Sequence, residues 1–312
     1  MSGTALRRAM ASATVCLLLA AQSCPVPAIT GGVPVDEVLA AGGGSRYTKQ
    51  QIAFADAVSA VTVALLNVGA DGQGRTLCSA TIVHPRVVLT AAHCVLNGRE
   101  VSRRMTVLFE GGASRRQALD AIVHPAFLKG LRGRVYPPRA QNPQRSRTEV
   151  DISELSNDLA LVLLHRPIPE VHDVVAPVPP GFRDSRVATK LIAGYGSVDA
   201  SRSIERLALY FAELQGNSKL DEGAVSGGRE IVMLSRYQNG ARVNVCSGDS
   251  GGPILVLDPA TSRLRQLAVT SAADEHCREG AIFAPIDSQR AVLRTMFDAL
   301  MQGEAGAERN PF

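Results

Sequence analysis

The sequence predicts an all-β fold of two antiparallel six-stranded β-barrels, followed by a single C-terminal α-helix. Short runs rich in β-branched and aromatic residues alternate with turns from position 58 onward. A proline-rich connection divides these runs into two groups of about six, which is the number that fits two small barrels. Helical periodicity is strong only near the C-terminus.

The first group of predicted strands precedes the proline-rich connection, and the second group follows it. The first group is Val58–Val68, Leu77–Val83, Val87–Ala91, Thr106–Phe109, Leu119–Val123 and Leu159–Leu164. The prolines of the connection are Pro167, Pro169, Pro177, Pro179 and Pro180. The second group is Val187–Tyr195, Arg206–Leu214, Ile231–Ser235, Pro253–Leu257, Gln266–Ser271 and Ala281–Pro285.

The predicted helix spans Asp287 to Leu300, and Asp287 is a suitable N-cap. Its apolar residues recur at helical spacing, and we expect this face to pack against the second barrel. These residues are Val292, Leu293, Met296, Phe297 and Leu300. We expect residues 302–312 to form a flexible tail.

Composition and the N-terminus indicate an exported globular protein. The chain has 312 residues, of which 46% are hydrophobic and 20% charged, so it can bury a large core. Its net charge of +4 is too small to indicate nucleic acid as a partner. Arg7 and Arg8 precede a short apolar stretch, Ala13 to Ala21, which is typical of a secretory signal and too short to span a bilayer. We therefore expect a secreted or periplasmic chain with no transmembrane span.

The predicted domains are a signal peptide over 1–28, an N-terminal segment and linker over 29–57, and a main globular domain over 58–301. The linker includes the glycine-rich stretch Ala41 to Ser45. Two alternatives stay open at the N-terminus. The signal is cleaved after Ala28, or Cys24, which follows Ala-Gln-Ser, is the site of lipid attachment.

Three short motifs contain residues suited to nucleophilic catalysis. Ser250 lies in a glycine-rich bend, His93 follows an apolar strand, and Asp158 opens another. A serine is a weak nucleophile unless a base stands beside it, and the base needs an acid to orient it. Asp151 is an alternative acid, but it lies in an irregular polar stretch.

These motifs, TAAHC, NDLAL and GDSGGP in that order, resemble the signature segments of the trypsin/chymotrypsin (S1-type) family of serine proteases. The resemblance covers about residues 58–300 and implies a monomeric serine endopeptidase that acts on protein or peptide substrates. It implies no cofactor and no metal. The family's roles would make His93 the general base, Asp158 its orienting acid and Ser250 the nucleophile. The amides of Gly248 and Ser250 would form the oxyanion hole.

The resemblance also implies two disulfides, Cys78–Cys94 and Cys246–Cys277. Each would stabilise the fold by about 3–4 kcal/mol on the chain-entropy model, and both fit an oxidising compartment. A metal site on the cysteines is disfavoured because the chain has no C-x-x-C spacing.

By the same resemblance, Asn244 occupies the floor of the specificity pocket, where trypsin-like members have aspartate. Ser271 would be the pocket serine, and Ala273 and Ala281 would replace two pocket glycines. Without a negative charge on the floor we expect no preference for Arg or Lys. The added methyl groups predict a neutral, small-to-medium residue before the cleaved bond (P1).

In the family, a new N-terminus beginning with Ile or Val pairs with the acid before the nucleophile. Here Ile29 and Asp249 would take these roles. The alternative is that Ile29-Thr30-Gly31-Gly32 is only linker sequence.

The chain departs from the family in a long insertion between His124 and Asn157. Its basic residues are Lys129, Arg132, Arg134, Arg139, Arg145 and Arg147. It is a solvated loop, a basic rim that favours acidic substrates, or a site of nicking. Two rivals to the protease remain: a catalytically silent binding protein on the same fold, and an esterase that uses the same triad.

Overall fold

The computed structural model describes most of the chain from residue 29 onward. The described residues are 29–41, 46–69, 75–109, 112–132, 155–169, 172–182, 189–196, 207–214, 220–222, 231–234, 236–238, 241–258, 261, 263–273, 277, 280–302 and 310–312. The signal segment, Cys24, Asp151 and most of the arginine-rich insertion lie outside them. No helix in the described ranges is both long and apolar enough to cross a membrane.

Strands dominate the described residues. They are β1 Val33–Pro34, β2 Thr62–Val68, β3 Arg75–His84, β4 Val87–Thr90, β5 Leu96–Asn97, β6 Glu100–Val101, β7 Met105–Phe109, β8 Ser114–Val123, β9 Ala160–Leu164, β10 Ala176–Pro177, β11 Lys190–Gly194, β12 Tyr210–Leu214, β13 Leu220–Glu222, β14 Ile231–Leu234, β15 Arg236–Gln238, β16 Ala241–Val243, β17 Pro253–Leu257, β18 Leu264–Ala273 and β19 Gly280–Pro285. The helices are α1 Val35–Ala40, α2 Lys49–Val61, α3 Pro125–Arg132 and α4 Arg290–Leu300, and 3-10 turns span Ala92–Cys94 and Asp287–Gln289.

The first group of strands closes into an antiparallel barrel in the order β2-β3-β4-β9-β8-β7. This confirms the predicted six-stranded barrel. Its interior is lined by buried aliphatic residues from all six strands, such as Val63, Ile82, Leu89, Val107 and Leu161. Burial of one such side chain contributes about 1.5–3 kcal/mol, so the barrel has a substantial core of its own.

The second group forms a sheet in the order β1-β12-β11-β17-β18-β19-β14-β13, and β10 pairs with β18. All six strands predicted for this group are present in it, with ends shifted by a few residues. Within the described residues this path of paired strands does not close on itself, so the second barrel is supported only in part. The all-β class and the two-part architecture are confirmed.

The segment before the barrel contains helices that the sequence does not predict. Helix α2 ends at Val61 and β2 begins at Thr62, so the predicted strand start at Val58 is wrong. Thr48 and Gln51 form a reciprocal capping box at the start of α2. Helix α1 packs on α2, and both contribute to a third core that lies between the barrel and the sheet.

The C-terminal helix is present, but it begins at Arg290 and differs from prediction in two ways. Asp287 does not cap it, and its carboxylate instead accepts a hydrogen bond from Gly181 N at 3.2 Å. The predicted apolar face is buried against β8 and β9 of the first barrel, so its assignment to the second barrel is wrong.

The end of the chain also differs from the flexible tail that the sequence predicts. Phe312 is buried, and its ring lies 6.3 Å from that of Phe297 on α4. Asn310 Nδ2 donates to Arg294 O and to the Asp298 carboxylate. The last three residues therefore dock on the helix.

Candidate active site

His93 and Asp158 lie at the same end of the barrel because they flank two paired strands. Strand β4 ends at Thr90 and β9 begins at Ala160, and these two residues are partners in the antiparallel register. His93 follows β4 on a 3-10 turn, and Asp158 precedes β9. The strand pairing alone therefore brings together two side chains that are 65 residues apart in the chain.

The imidazole and the carboxylate are in direct contact. His93 Nδ1 lies 2.7 Å from Asp158 Oδ2, and His93 N donates to Asp158 Oδ1 at 3.0 Å. The Asp158 side chain is almost fully buried, whereas that of His93 is 38% exposed. A carboxylate at Nδ1 fixes the tautomer with the proton on Nδ1, which leaves Nε2 free to accept one.

The environment of His93 shifts its basicity. Burial alone would lower the pKa of His93, but the charge of Asp158 and its hydrogen bond outweigh burial and raise the pKa above its ordinary value. The ring is thus a stronger base than a free imidazole, which suits it to remove a proton from a hydroxyl.

Ser271 completes the support of Asp158. Its hydroxyl donates to Asp158 Oδ2 at 2.6 Å. The pairing of β18 with β19 is irregular between Thr270 and Ala272, so Ser271 is an extra residue in the ladder. Such bulges redirect a side chain, and here the redirected hydroxyl reaches across from the sheet to the barrel.

Ser250 lies between the barrel and the sheet, and main-chain hydrogen bonds hold it to both. Its carbonyl accepts from Ser79 N of β3 at 2.8 Å, while Gly251 N donates to Thr270 O of β18 at 2.8 Å. Gly251 has φ +83°, and a Cβ there would overlap Thr90 Oγ1 and Ser79 O. Glycine is required after Ser250 because the two halves of the molecule approach so closely.

The disulfide Cys78–Cys94 is formed and lies beside the pair. Cys94 Sγ is 3.7 Å from His93 Nε2 and 3.6 Å from Ser250 O. The free ring nitrogen and the Ser250 main chain therefore contact the same sulfur atom. Because both cysteines are in the disulfide, their grouping with His93 does not indicate a metal site.

The segment before Ser250 is a tight turn. Asp249 N donates to Cys246 O at 3.0 Å, and Gly248 has φ +92°. A positive φ at the third residue alone is the geometry of a type II turn, which favours glycine at that position. The second predicted disulfide, Cys246–Cys277, is formed at the first residue of this turn.

Asp249 is fully buried and accepts hydrogen bonds from two backbone amides. Gly196 N donates to Oδ1 at 2.9 Å and Cys246 N donates to Oδ2 at 2.8 Å. Burial raises the pKa of Asp249 to about 7, although the two amides act to lower it. A Cβ at Gly194 would overlap the carboxylate, so a glycine is needed on this neighbouring strand. The sequence does not predict these glycines, although their Gly-Tyr-Gly pattern was a possible signal.

Ile29 is fully buried in the core of the sheet. The next residue, Thr30, pairs with Asn244, the predicted floor of the pocket. Thr30 N donates to Asn244 O at 2.9 Å, and Asn244 N donates to Thr30 O at 3.2 Å. The segment at Ile29 is therefore docked against the residues that precede the Cys246 turn.

The predicted pocket residues lie together. Ala273 of β18 and Ala281 of β19 are direct partners in the antiparallel register, so their methyl groups share one face. Asn244 is fully buried and donates from Nδ2 to Gly280 O at 3.4 Å, next to Ala281. Ser271 instead contacts Asp158, as described above.

His124 and Gln289 brace the loop before Asp158 and were not predicted to do so. His124 Nε2 lies 3.1 Å from Gln289 Oε1, and Gln289 Nε2 donates to Ser156 O at 3.2 Å and Asn157 Oδ1 at 3.0 Å. Burial lowers the pKa of His124 despite its bond to Gln289. At its start the insertion forms helix α3, which follows His124 directly.

The family model for trypsin matches residues 55–293, which is more than half of the chain. The chain belongs to the trypsin family. Among its relatives are a renal glandular kallikrein of Mastomys natalensis, 28% identical over 58% of this chain, and rat tonin, 28% identical over 57%. The matches cover 66% of the length of each relative.

A solved structure with the trypsin-family fold also matches. It is that of a scabies mite inactivated protease paralogue, with a TM-score of 0.51 and 16% sequence identity over 78% of this chain and 96% of that one. At this identity the match supports the fold of the chain and says nothing of its activity.

Proposed function

We propose that this chain is an exported serine endopeptidase in which His93, Asp158 and Ser250 form the catalytic triad. The observation that carries the proposal is the buried carboxylate of Asp158, which contacts His93 Nδ1 at 2.7 Å and Ser271 Oγ at 2.6 Å. A structural histidine does not need a buried acid held by a second donor, whereas a general base does.

In the proposed reaction, Ser250 Oγ attacks the peptide carbonyl carbon while His93 Nε2 takes the hydroxyl proton. The carbonyl oxygen becomes an oxyanion that accepts hydrogen bonds from Gly248 N and Ser250 N. His93 then protonates the leaving amine, the C–N bond breaks, and an acyl-enzyme remains. Water repeats the sequence, which releases the acid and restores the Ser250 hydroxyl.

We propose a neutral, small-to-medium P1 residue. Asn244 at the pocket floor carries no charge, and both it and Ala281 are almost inaccessible to solvent. The facing methyl groups of Ala273 and Ala281 narrow the slot further. A charged or bulky P1 side chain would therefore find neither a counter-charge nor room.

We also propose that cleavage before Ile29 activates the enzyme. The new amine would begin at a residue that is already buried, beside the ladder to Asn244. Asp249 would supply its counter-charge. Pairing would offset the cost of a buried carboxylate and would fix the turn that contains Gly248.

Substitution Ser250→Ala tests the proposal. It is expected to reduce peptide turnover by on the order of 10⁶, because loss of one triad member has this effect in related chemistry. Ser59→Ala on α2 is a matched control whose hydroxyl contacts only local backbone. Equal turnover by the Ser250→Ala and wild-type chains would reject the assignment.

A catalytically silent binding protein is the second candidate, because the matched fold is also that of an inactivated protease paralogue and so does not by itself imply catalysis. A fluorophosphonate probe separates the two functions, because only an activated serine reacts with it. Labelling of wild-type chain cut before Ile29, with none in Ser250→Ala, is expected for the enzyme. Absence of labelling in both chains would support the silent protein.

A further inference from the structure

Ser79 of β3 is a buried serine that contacts the proposed oxyanion loop, Cys246 to Gly252, through two different groups. Its main-chain N–H donates to Ser250 O at 2.8 Å. Its hydroxyl donates to Gly248 O at 3.0 Å. Gly248 and Ser250 are the two residues whose amides are proposed to bind the oxyanion, so one residue holds the carbonyls of both.

The direction of the Ser79 hydroxyl is fixed by a third contact. Tyr195 N donates to Ser79 Oγ at 2.8 Å, which uses the oxygen as an acceptor and leaves its proton for Gly248 O. Tyr195 directly follows β11, so the hydroxyl links that strand of the sheet to the oxyanion loop. Thr90 Oγ1 donates to Ser79 O at 2.8 Å and holds the serine from the side of the barrel.

The contact holds the peptide group that follows Gly248 in the oxyanion loop. Gly248 has a positive φ and no side chain, so its peptide groups can rotate more easily than those of other residues. The turn bond from Asp249 N to Cys246 O and the bond from the Ser79 hydroxyl to Gly248 O hold opposite sides of the same planar peptide, Gly248–Asp249. Without the Ser79 bond one of the two restraints on this peptide is lost, so the peptide can tilt. Because the peptide is joined to the Gly248 Cα, its tilt changes the position of the Gly248 amide.

We propose that Ser79 is a positioning residue for the oxyanion hole of this chain. Its hydroxyl touches no reacting atom. It acts through Gly248, whose amide must lie about 2.7–3.1 Å from the developing oxyanion to stabilise it. This inference rests on the proposed protease function.

The substitution Ser79→Ala removes only the hydroxyl and is expected to lower kcat by about 10- to 100-fold, since misplacement of a catalytic group by about 1 Å has such an effect. KM for the same peptide should stay nearly constant, because the ground-state carbonyl does not depend on the oxyanion hole. The inhibition constant of a peptide aldehyde, which forms a tetrahedral oxyanion adduct, should rise by the same factor as kcat falls.

Ser102→Ala is the matched control. Ser102 is also a buried serine beside the same barrel, and among the described residues its hydroxyl accepts only from Arg104 N. The Ser102→Ala variant should lose some thermal stability but keep the wild-type kcat and the wild-type affinity for the aldehyde. If Ser79→Ala behaves in the same way, with a lower Tm alone, its role is packing and the proposal is wrong. Equal losses of substrate and aldehyde affinity would also reject it.

Hydrogen exchange of the Cys246–Gly252 segment gives a readout that is independent of activity. Exchange should rise in Ser79→Ala and Ser79→Gly but not in Ser102→Ala, whether or not the chain turns over peptides. Unchanged exchange in the Ser79 variants overturns the positioning role. Absence of fluorophosphonate labelling in wild-type chain cut before Ile29 overturns the protease function instead, so the two failures are distinguishable.

Discussion

Asp158 accepts three hydrogen bonds, from His93 N, His93 Nδ1 and Ser271 Oγ, at 3.0, 2.7 and 2.6 Å. A buried carboxylate is costly unless its oxygens are satisfied, and these donors come from both halves of the molecule. The sequence motifs identify His93 and Asp158. The contact with Ser271 depends on a bulge in β18, which no local sequence pattern specifies.

At the pocket, removal of both facing methyl groups should widen the slot. The double variant Ala273→Gly/Ala281→Gly is expected to raise kcat/KM for a P1 Leu peptide relative to a P1 Ala peptide by about 10-fold or more, because one methylene in a pocket changes discrimination by this amount. Rates on a matched peptide series measure this ratio. No change in the ratio would mean that the alanines do not form the wall of the pocket.

Asp249 should make the uncut chain less stable as pH rises. Its folded pKa of about 7 exceeds the ordinary 3.8, so the native state binds the extra proton between these values. The contribution of Asp249 to the free energy of unfolding is fully present below about pH 4. It falls by on the order of 4 kcal/mol as the pH rises to about 7, and above that it stays lost. Urea unfolding of Ser250→Ala across this range measures the slope.

The double variant Ser250→Ala/Asp249→Asn is the control for this pH dependence. An amide side chain does not titrate, so the part of the slope caused by Asp249 should disappear, although the chain is less stable throughout. Identical slopes in both chains would show that Asp249 is ionised in the uncut protein.

At the scale of elements, all twelve strands predicted from alternation and turn signals are present, with shifted ends. The misplaced start of β2 has a physical cause. Val58 and Val61 are β-branched, which favours a strand, but α2 buries both as part of its apolar face. The Thr48–Gln51 capping box was the available local signal. The side on which α4 packs could not be predicted, because it depends on contacts between distant segments.

The docked C-terminus gives a prediction for α4. Phe312→Ala is expected to lower the free energy of unfolding by about 2 kcal/mol, since it exposes the apolar face that the ring covers on Phe297. Phe312→Leu should retain most of this stability. Chemical denaturation followed by circular dichroism measures both. If Phe312→Ala had the wild-type free energy of unfolding, the C-terminus would not be docked on α4, and the prediction of a flexible tail would be supported.

At the scale of the whole molecule, the barrel and the sheet share two of the three cores. The core between them combines α1 and α2 with residues of both halves, such as Ala64, Leu191 and Leu255. The core of the first barrel includes Val269 and Ala284 from the sheet. Since neither half can unfold without exposing a shared core, we expect them to unfold as one cooperative unit.

Val38→Ala tests this arrangement. Val38 is fully buried on α1, so truncation should cost about 2 kcal/mol and lower a single transition, measured by circular dichroism and by loss of activity together. Val174→Ala is the matched control, because Val174 is 45% exposed. Two separated transitions would show that the halves are independent.

The ladder between Thr30 and Asn244 has a thermodynamic consequence. The side chain of Asn244 forms the proposed pocket floor, and its main chain forms hydrogen bonds with Thr30 of the docked N-terminal segment. Occupancy of the proposed pocket and docking of that segment would therefore be linked, and such a linkage is reciprocal. If the proposed protease function and activation hold, a substrate that binds better when the segment is docked would hold the segment in place to the same degree, and would thereby favour the active form of the protein.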